Sequence, residues 1–264
     1  MKLENRVVTT IVSDFDGTLI PAGKNKPSAK FYDVIKKLLD QNIRFIAASG
    51  RKYQDLNKIM EPYSDRIAFI AENGALVVWN GKVIHKCVIN MALAFELIED
   101  LEKQLNAEIM VSGEKAGYIV PRTQEYVRML ENNFSNQLVK LQNFTQVPED
   151  IIKIAANFSN GVPDELKHYF HKKYDKVLLI TESGNGWLDF MPKESGKGTA
   201  LIKLSGIMDF CMEETAAFGD SENDMGMLGV AGIGYAMDFS DEKVKRVADC
   251  ICNSVEEILE RGLA

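Results

Sequence analysis

Two acidic clusters in this chain have residue types and spacing suited to chemistry. Asp14-Phe15-Asp16-Gly17-Thr18 directly follows an apolar run, Thr9 to Ser13, that reads as a buried strand. Its two carboxylates therefore lie where the carboxyl end of a parallel strand opens into a loop, which is where open α/β sheets bind ligands. Gly17 lets the backbone approach a bound group, and nearby amides can hold anionic oxygens. Adjacent carboxylates repel, so the pair implies a metal or a protonated partner; read alone, Asp-x-Asp-Gly is also a common solvated turn. The second cluster, Gly219-Asp220-Ser221-Glu222-Asn223-Asp224, again ends an apolar run and precedes a helical pattern. Two acids and an amide oxygen there make a hard-oxygen set suited to Mg²⁺. Asp220 or Ser221 could equally cap the helix that follows, and the two roles are compatible.

Between the clusters lie Ser49, at a strand end, and Lys197, within Ser195-Gly196-Lys197-Gly198-Thr199. The latter string fails as a nucleotide-binding loop. That pattern needs Ser or Thr after the Lys and a Gly five positions ahead of the Gly-Lys pair, where this chain has Gly198 and Met191. Gly232-Ile233-Gly234 opens a strand instead of joining strand to helix, so a dinucleotide fingerprint fails too.

The elements that must position these residues alternate. Strand-like Thr9 to Ser13, Ile43 to Ala48 and Ile67 to Ala71 are separated by a helix after Ser28, a plausible N-cap, and by one over Tyr53 to Met60. After Glu72-Asn73-Gly74 the pattern changes to two strands, Leu76 to Trp79 and Lys82 to Cys87, joined by the hairpin signal Asn80-Gly81. Helix-like Met91 to Leu105, Arg122 to Glu131 and Pro163 to Phe170 then mix with strand-like Glu108 to Ser112, Tyr118 to Val120, Ile151 to Ala156 and Lys176 to Thr181. The βαβ rhythm resumes after Pro192 and closes on a last helix near Asp241 to Ala248. Residues 1–80 and 190–264 thus read as one α/β domain, interrupted by an inserted α+β domain over 81–189.

With 264 residues, 46% of them hydrophobic, and a net charge of -7, the chain has the composition of an ordinary globule of about two domains. The acidic balance argues against nucleic-acid binding through a basic surface. The apolar stretch near Val7 to Val12 is too short for a signal peptide, and no run is long enough to span a membrane, so a cytoplasmic location is expected. Cys87, Cys211, Cys250 and Cys252 are too scattered for a disulfide framework and are expected to be free thiols.

In order along the chain, Asp14-Phe15-Asp16-Gly17-Thr18-Leu19, Ala48-Ser49-Gly50-Arg51, Glu72-Asn73-Gly74-Ala75, Gly196-Lys197-Gly198 and Gly219-Asp220-Ser221-Glu222-Asn223-Asp224-Met225-Gly226-Met227-Leu228 resemble the haloacid dehalogenase superfamily, in its Cof-type phosphatase branch. The resemblance covers nearly the whole chain. It implies a Rossmann-like parallel-sheet core with an inserted α+β cap, placed between the serine and lysine motifs where the split was read independently. By that resemblance Asp14 would be the nucleophile, giving an aspartyl-phosphate, and Asp16 the acid and base. Mg²⁺ would be held by Asp14, the main-chain carbonyl of Asp16 and Asp220, with Asp224 behind them. Ser49 and the amides near Asp16 and Gly17 would bind phosphoryl oxygens, and Lys197 would neutralise charge.

Thr18, Gly50, Arg51, Asn73 and Asn223 join Gly17 as candidate substrate contacts; Glu182, Asn185 and Trp187 are candidates for specificity in the insert. His85, His168 and His171 read as solvated, and Met225 to Leu228 as core packing. The reading predicts a Mg²⁺-dependent phosphatase of small phosphorylated metabolites, sugar phosphates first, acting as a monomer or small homo-oligomer without nucleic-acid or membrane partners. A phosphomutase and a catalytically silent phosphometabolite-binding protein are the alternatives. The run Tyr235 to Ser240 and the short tail after Cys252 depart from the family pattern without touching a catalytic position.

Overall fold

The computed structural model describes residues 1–21, 24, 26–133, 138–182 and 186–263. The chain divides into two compact units, Met1–His85 with Gly196–Ala264, and Lys86–Ser195.

In the first unit β1 (Lys2–Leu3) and β2 (Arg6–Val7) form a small antiparallel pair. β3 (Thr10–Asp14) follows, buried at every position as a central parallel strand should be. Helix α1 (Ala29–Asp40) starts where Ser28 Oγ accepts the Phe31 N–H at 3.1 Å, and it buries Phe31, Val34, Ile35, Leu38 and Leu39 on one face. β4 (Arg44–Ala48), α2 (Tyr53–Ile59), β5 (Ala68–Ala71), β6 (Leu76–Trp79) and β7 (Lys82–Lys86) complete the first stretch. Between β6 and β7, Asn80 and Gly81 both have positive φ (55° and 69°), as the two-residue hairpin turn requires.

The second unit contains α3 (Met91–Glu102), β8 (Ala107–Ser112), β9 (Gly117–Ile119), α4 (Gln124–Asn133), β10 (Leu138–Lys140), β11 (Lys153–Phe158), α5 (Asp164–Tyr174), β12 (Leu178–Glu182) and β13 (Trp187–Pro192). Its six-stranded sheet runs β10-β9-β8-β11-β13-β12. Ile109, Val111, Ile154, Ala156, Leu188 and Phe190 form one face and pack with Leu97 and Leu101 of α3 and Phe170 and Tyr174 of α5. On the other face, Met110 and Ile119 pack with Tyr126, Val127 and Leu130 of α4.

The chain then returns to the first unit as α6 (Lys197–Met208), β14 (Thr215–Gly219), α7 (Met225–Val230), β15 (Ile233–Met237), α8 (Glu242–Lys245), β16 (Cys250–Cys252) and α9 (Val255–Leu263). The eight-stranded sheet runs β16-β15-β14-β3-β4-β5-β6-β7, parallel from β16 to β5, with β6 antiparallel to β5. From β3 the chain moves first to β4 on one side and later to β14 on the other. The crevice at the carboxyl ends of β3 and β14 is therefore the topological switch point.

Several expectations are corrected. The last helix is α9, beyond the expected Asp241 to Ala248, where α8 covers only four residues. β10, β13 and β16 were not legible: two have three residues, and β13, read Trp-Leu-Asp-Phe-Met-Pro, lacks alternation and ends on proline. Boundaries at 80/81 and 189/190 would cut the Asn80-Gly81 turn and β13. The units instead change at 85/86 and 195/196, because β7 is bonded beside β6 and β13 lies between β11 and β12. Cys87, Cys211, Cys250 and Cys252 are not joined in disulfides. No helix among the described residues is long and apolar enough to cross a membrane.

Candidate active site

Every core motif lies in the first unit, and all but the Lys197 motif sit at the ends of strands. Asp14 is the last residue of β3, paired in register with Ala48 of β4, so Asp16 and Ser49 leave neighbouring strand ends. Gly219 ends β14, and Asp220 to Asp224 form the turn that leads into α7. Lys197 is the first residue of α6.

Asp14, Lys197 and Asp224 form a buried triad, 4%, 1% and 0% exposed. Lys197 Nζ donates to Asp14 Oδ1 at 2.5 Å and to Asp224 Oδ1 at 2.6 Å. Burial disfavours the ammonium, but the two carboxylates outweigh it and hold the Lys197 pKa above the ordinary lysine value. Burial pushes the Asp14 carboxyl well up, against the pull of Lys197, and Asp224 and Asp220 push the same way. Asp14 Oδ2 is buried with no hydrogen-bond partner. An orphaned carboxylate oxygen is costly in a folded interior, so it marks a place where a ligand supplies the missing charge.

Asp220 belongs to the same acidic cluster as Asp14. Thr18 Oγ1 donates to its Oδ1 at 2.9 Å and Ser221 Oγ to its Oδ2 at 2.8 Å, while burial first, and Asp224 second, raise its pKa. Gly17 (φ 94°) runs so close that a Cβ there would lie 2.6 Å from Asp220 Oδ2; only glycine fits. Asp14, Asp220 and Asp224 each offer an oxygen within 4.8 Å of the others. Asp224, however, is spoken for on both sides: Oδ1 takes Lys197, and Oδ2 accepts the Asp220 and Ser221 N–H groups at 3.0 Å each. It ties Lys197 to the turn that carries Asp220. Asp14 Oδ2 and Asp220 fit a hard divalent cation such as Mg²⁺, which takes few protein carboxylates and keeps several waters.

The structure gives the remaining candidates distinct surroundings. Arg51 grips Asp16 with both arms of its fork, Nε to Oδ2 at 2.7 Å and Nη2 to Oδ1 at 2.5 Å. Ser49 is buried, its Oγ accepting the Arg51 N–H at 3.1 Å, and Gly50 lies against Asn73, whose Oδ1 would be 3.0 Å from a Cβ there. Asn73 Oδ1 accepts from Asn223 Nδ2 at 2.9 Å, and Asn223 Oδ1 is buried without a partner. The Gly17 amide already donates to the Ile20 carbonyl at 2.9 Å, and Thr18 serves Asp220, so both act within the turn. Of the insert candidates, Glu182 pairs with Lys167 at 2.9 Å and Trp187 lies at 6.3 Å from the Tyr126 ring, while Asn185 lies outside the described residues. His168 and His171 are exposed on α5, and Met227 and Leu228 are buried core.

The sequence reading named neither Ser221 as a support of Asp220 nor the Arg51–Asp16 pairing. The latter spans 35 residues and is visible only once the β3–β4 register is known.

The profile of the haloacid dehalogenase-like hydrolases matches residues 11–259. The chain is 25% identical over 241 residues to the Escherichia coli 5-amino-6-(5-phospho-D-ribitylamino)uracil phosphatase YbjI, covering 91% of this chain and 89% of that one. It is 27% identical over 274 residues to the Bacillus subtilis 5-amino-6-(5-phospho-D-ribitylamino)uracil phosphatase YwtE, covering 94% of this chain and 93% of that one. A solved Streptococcus mutans protein shares the fold at a TM-score of 0.85 with 28% identity, covering 97% of this chain and 99% of that one. The chain belongs to the haloacid dehalogenase-like hydrolase family. Within it, this is an enzyme of the Cof-type phosphatase group.

Proposed function

We propose that the protein is a Mg²⁺-dependent cytoplasmic phosphatase of small phosphorylated metabolites, sugar and sugar-alcohol phosphates first, working through an aspartyl-phosphate on Asp14. The observation that carries this is the state of Asp14: buried, fixed through Oδ1 by Lys197, and left with Oδ2 unpartnered. Two relatives named for a phosphorylated ribityl compound support the substrate class.

Asp14 attacks phosphorus, a new O–P bond forms and the ester oxygen departs with its electron pair; water then cleaves the aspartyl-phosphate. A carboxylate performs the first displacement without a base to activate it. Asp16 protonates the departing oxygen and later takes the proton of the attacking water. Since the Arg51 fork occupies both Asp16 oxygens, at least one of those contacts must open before the proton moves. Lys197 stays charged and offsets the negative charge on Asp14 and the phosphoryl group. Mg²⁺, held by Asp14, the main-chain carbonyl of Asp16 and Asp220, would supply the remaining positive charge needed to admit a dianionic ester. Ser49 and Asn73 stand at the neighbouring strand ends as phosphoryl contacts.

Phosphate release from a panel of phosphate monoesters, with and without Mg²⁺, tests the reading. Release only with the metal is expected, and Asp14→Asn should abolish it with the fold intact. Near-wild-type hydrolysis by that variant would overturn the assignment. Isomerised sugar phosphate in place of free phosphate would make the enzyme a mutase, and no turnover with retained binding would make it a silent binding protein.

A further inference from the structure

The turn after β5 has a conformation that its own sequence does not favour. Glu72, Asn73 and Gly74 follow one another with φ of 49°, 54° and 92°, so three successive residues are left-handed and two of them carry side chains. Asparagine tolerates that region better than most residues; glutamate does not. The turn is also buried, with Glu72 1% and Asn73 3% exposed. Such a conformation persists only where its surroundings fix it, and it recurs where function needs it.

Three loops of the active site, all in the first unit, surround this turn. The Asn73 N–H donates to the Ser49 carbonyl at 3.0 Å and the Glu72 N–H to the Arg51 carbonyl at 2.9 Å, which ties the turn to the loop after β4. Gly74 lies against Gly196, the residue before Lys197: a Cβ on Gly74 would sit 2.3 Å from the Gly196 carbonyl oxygen. The third tie joins side chains 150 residues apart, Asn223 Nδ2 donating to Asn73 Oδ1 at 2.9 Å. Asn223 makes this bond although its own Oδ1 is left buried without a partner, so the bridge is kept at the expense of a fully satisfied amide. Asn223 stands between Asp220 and Asp224, in the turn that Asp224 closes by accepting the Asp220 N–H.

We propose that Asn73 is a positioning residue for the cation site: held left-handed between Ser49 and Gly196, it presents Oδ1 to Asn223 and so fixes the turn that carries Asp220 and Asp224. The strained backbone is the means, because a right-handed Asn73 would aim its Cα–Cβ bond elsewhere and lose the bridge. The proposal rests on the Mg²⁺-dependent phosphatase reading above, and it gives Asn73 a role that is exercised before any ester binds.

The test is calorimetric titration of Mg²⁺ into full-length wild type, Asn73→Gly, Asn223→Ala and the double variant, with no ester present. A contact that Asn73 made only to a phosphoryl group could not alter this binding. Glycine adopts φ 54° without steric cost, so Asn73→Gly removes the side chain and leaves the turn; Asn223→Ala cuts the same bridge from its other end without touching the strained residues. Groups that hold a metal's ligands in place typically matter about 10- to 100-fold in affinity, and one step further out each single variant should weaken Mg²⁺ binding by about fivefold or more. Because both remove one bridge, the double variant should bind within about twofold of the weaker single variant. Mg²⁺ binding unchanged in Asn73→Gly, losses that multiply in the double variant, or a wild type that binds no Mg²⁺ would overturn the proposal. Phosphate release measured beside the titrations keeps the two ideas apart: a wild type that binds Mg²⁺ but hydrolyses no ester rejects the phosphatase, while the four Mg²⁺ affinities still decide the role of Asn73.

Discussion

Asp14 in the first unit and Asp100 in the second are both buried carboxylates held by lysine, yet their surroundings are opposite. Asp100, on α3, is 5% exposed and receives four donors: Lys103 Nζ at 3.0 Å, Tyr169 OH at 3.1 Å, Lys173 Nζ at 2.5 Å and Tyr174 OH at 2.7 Å. Burial alone would raise its pKa, but these hydrogen bonds outweigh it and hold the carboxyl well below the usual carboxylate range. Asp14 has one donor, one orphaned oxygen and a raised pKa. A carboxylate that the protein has satisfied locks α3 to α5. One that it has left half satisfied is kept for a ligand, at a cost in stability.

The contrast can be broken most severely at Lys197. Lys197→Met leaves Asp14 and Asp224 facing each other without a counter-charge, so turnover should fall by about 10³-fold or more and stability by about 3–5 kcal/mol. Phosphate release and urea unfolding report the two losses; preserved activity would remove Lys197 from the mechanism. Asp100→Asn should do the converse, costing about 2 kcal/mol of stability through lost charge-assisted hydrogen bonds while kcat at low temperature stays within twofold. Its pH dependence has a definite sign. Because the folded-state pKa is depressed, the Asp100 contribution is fully present above the ordinary carboxylate pKa of about 4 and disappears as pH falls below it. Wild type and Asp100→Asn should therefore differ in urea midpoint at pH 7 and converge as the pH drops below about 4. The smallest effect is expected at Arg51. Arg51→Gln frees Asp16 but leaves it less well placed, which should change kcat by about tenfold, with stability nearly unchanged because the pair is half exposed. A change in KM alone would instead make Arg51 a substrate contact.

Much of the catalytic unit was legible because its signals are local. An apolar run ending in Asp14, a second ending before Asp220 and a glycine directly after the second of two acids each imply a strand end and a loop without reference to the rest of the chain. The order of the four motifs then carried the family resemblance. What escaped depends on register and distance. The Arg51 fork on Asp16 and the doubly occupied Asp224 need the sheet to be assembled, and Thr18 looked like a substrate contact because nothing linear shows that its hydroxyl reaches Asp220, 202 residues away. In the insert, β13 hid Asp189 in a run without alternation, so the ion pair with Lys153 appears only when β11 and β13 are laid side by side.

The central claim is that Asp14 carries the phosphoryl group. Acid quenching of full-length enzyme during turnover of a ³²P-labelled ester that it hydrolyses, followed by precipitation and peptide mapping, tests this most directly. The account predicts hydroxylamine-labile label on the peptide containing Asp14 in the wild type and none in Asp14→Asn. Label on another residue, or turnover that persists in Asp14→Asn, would contradict it.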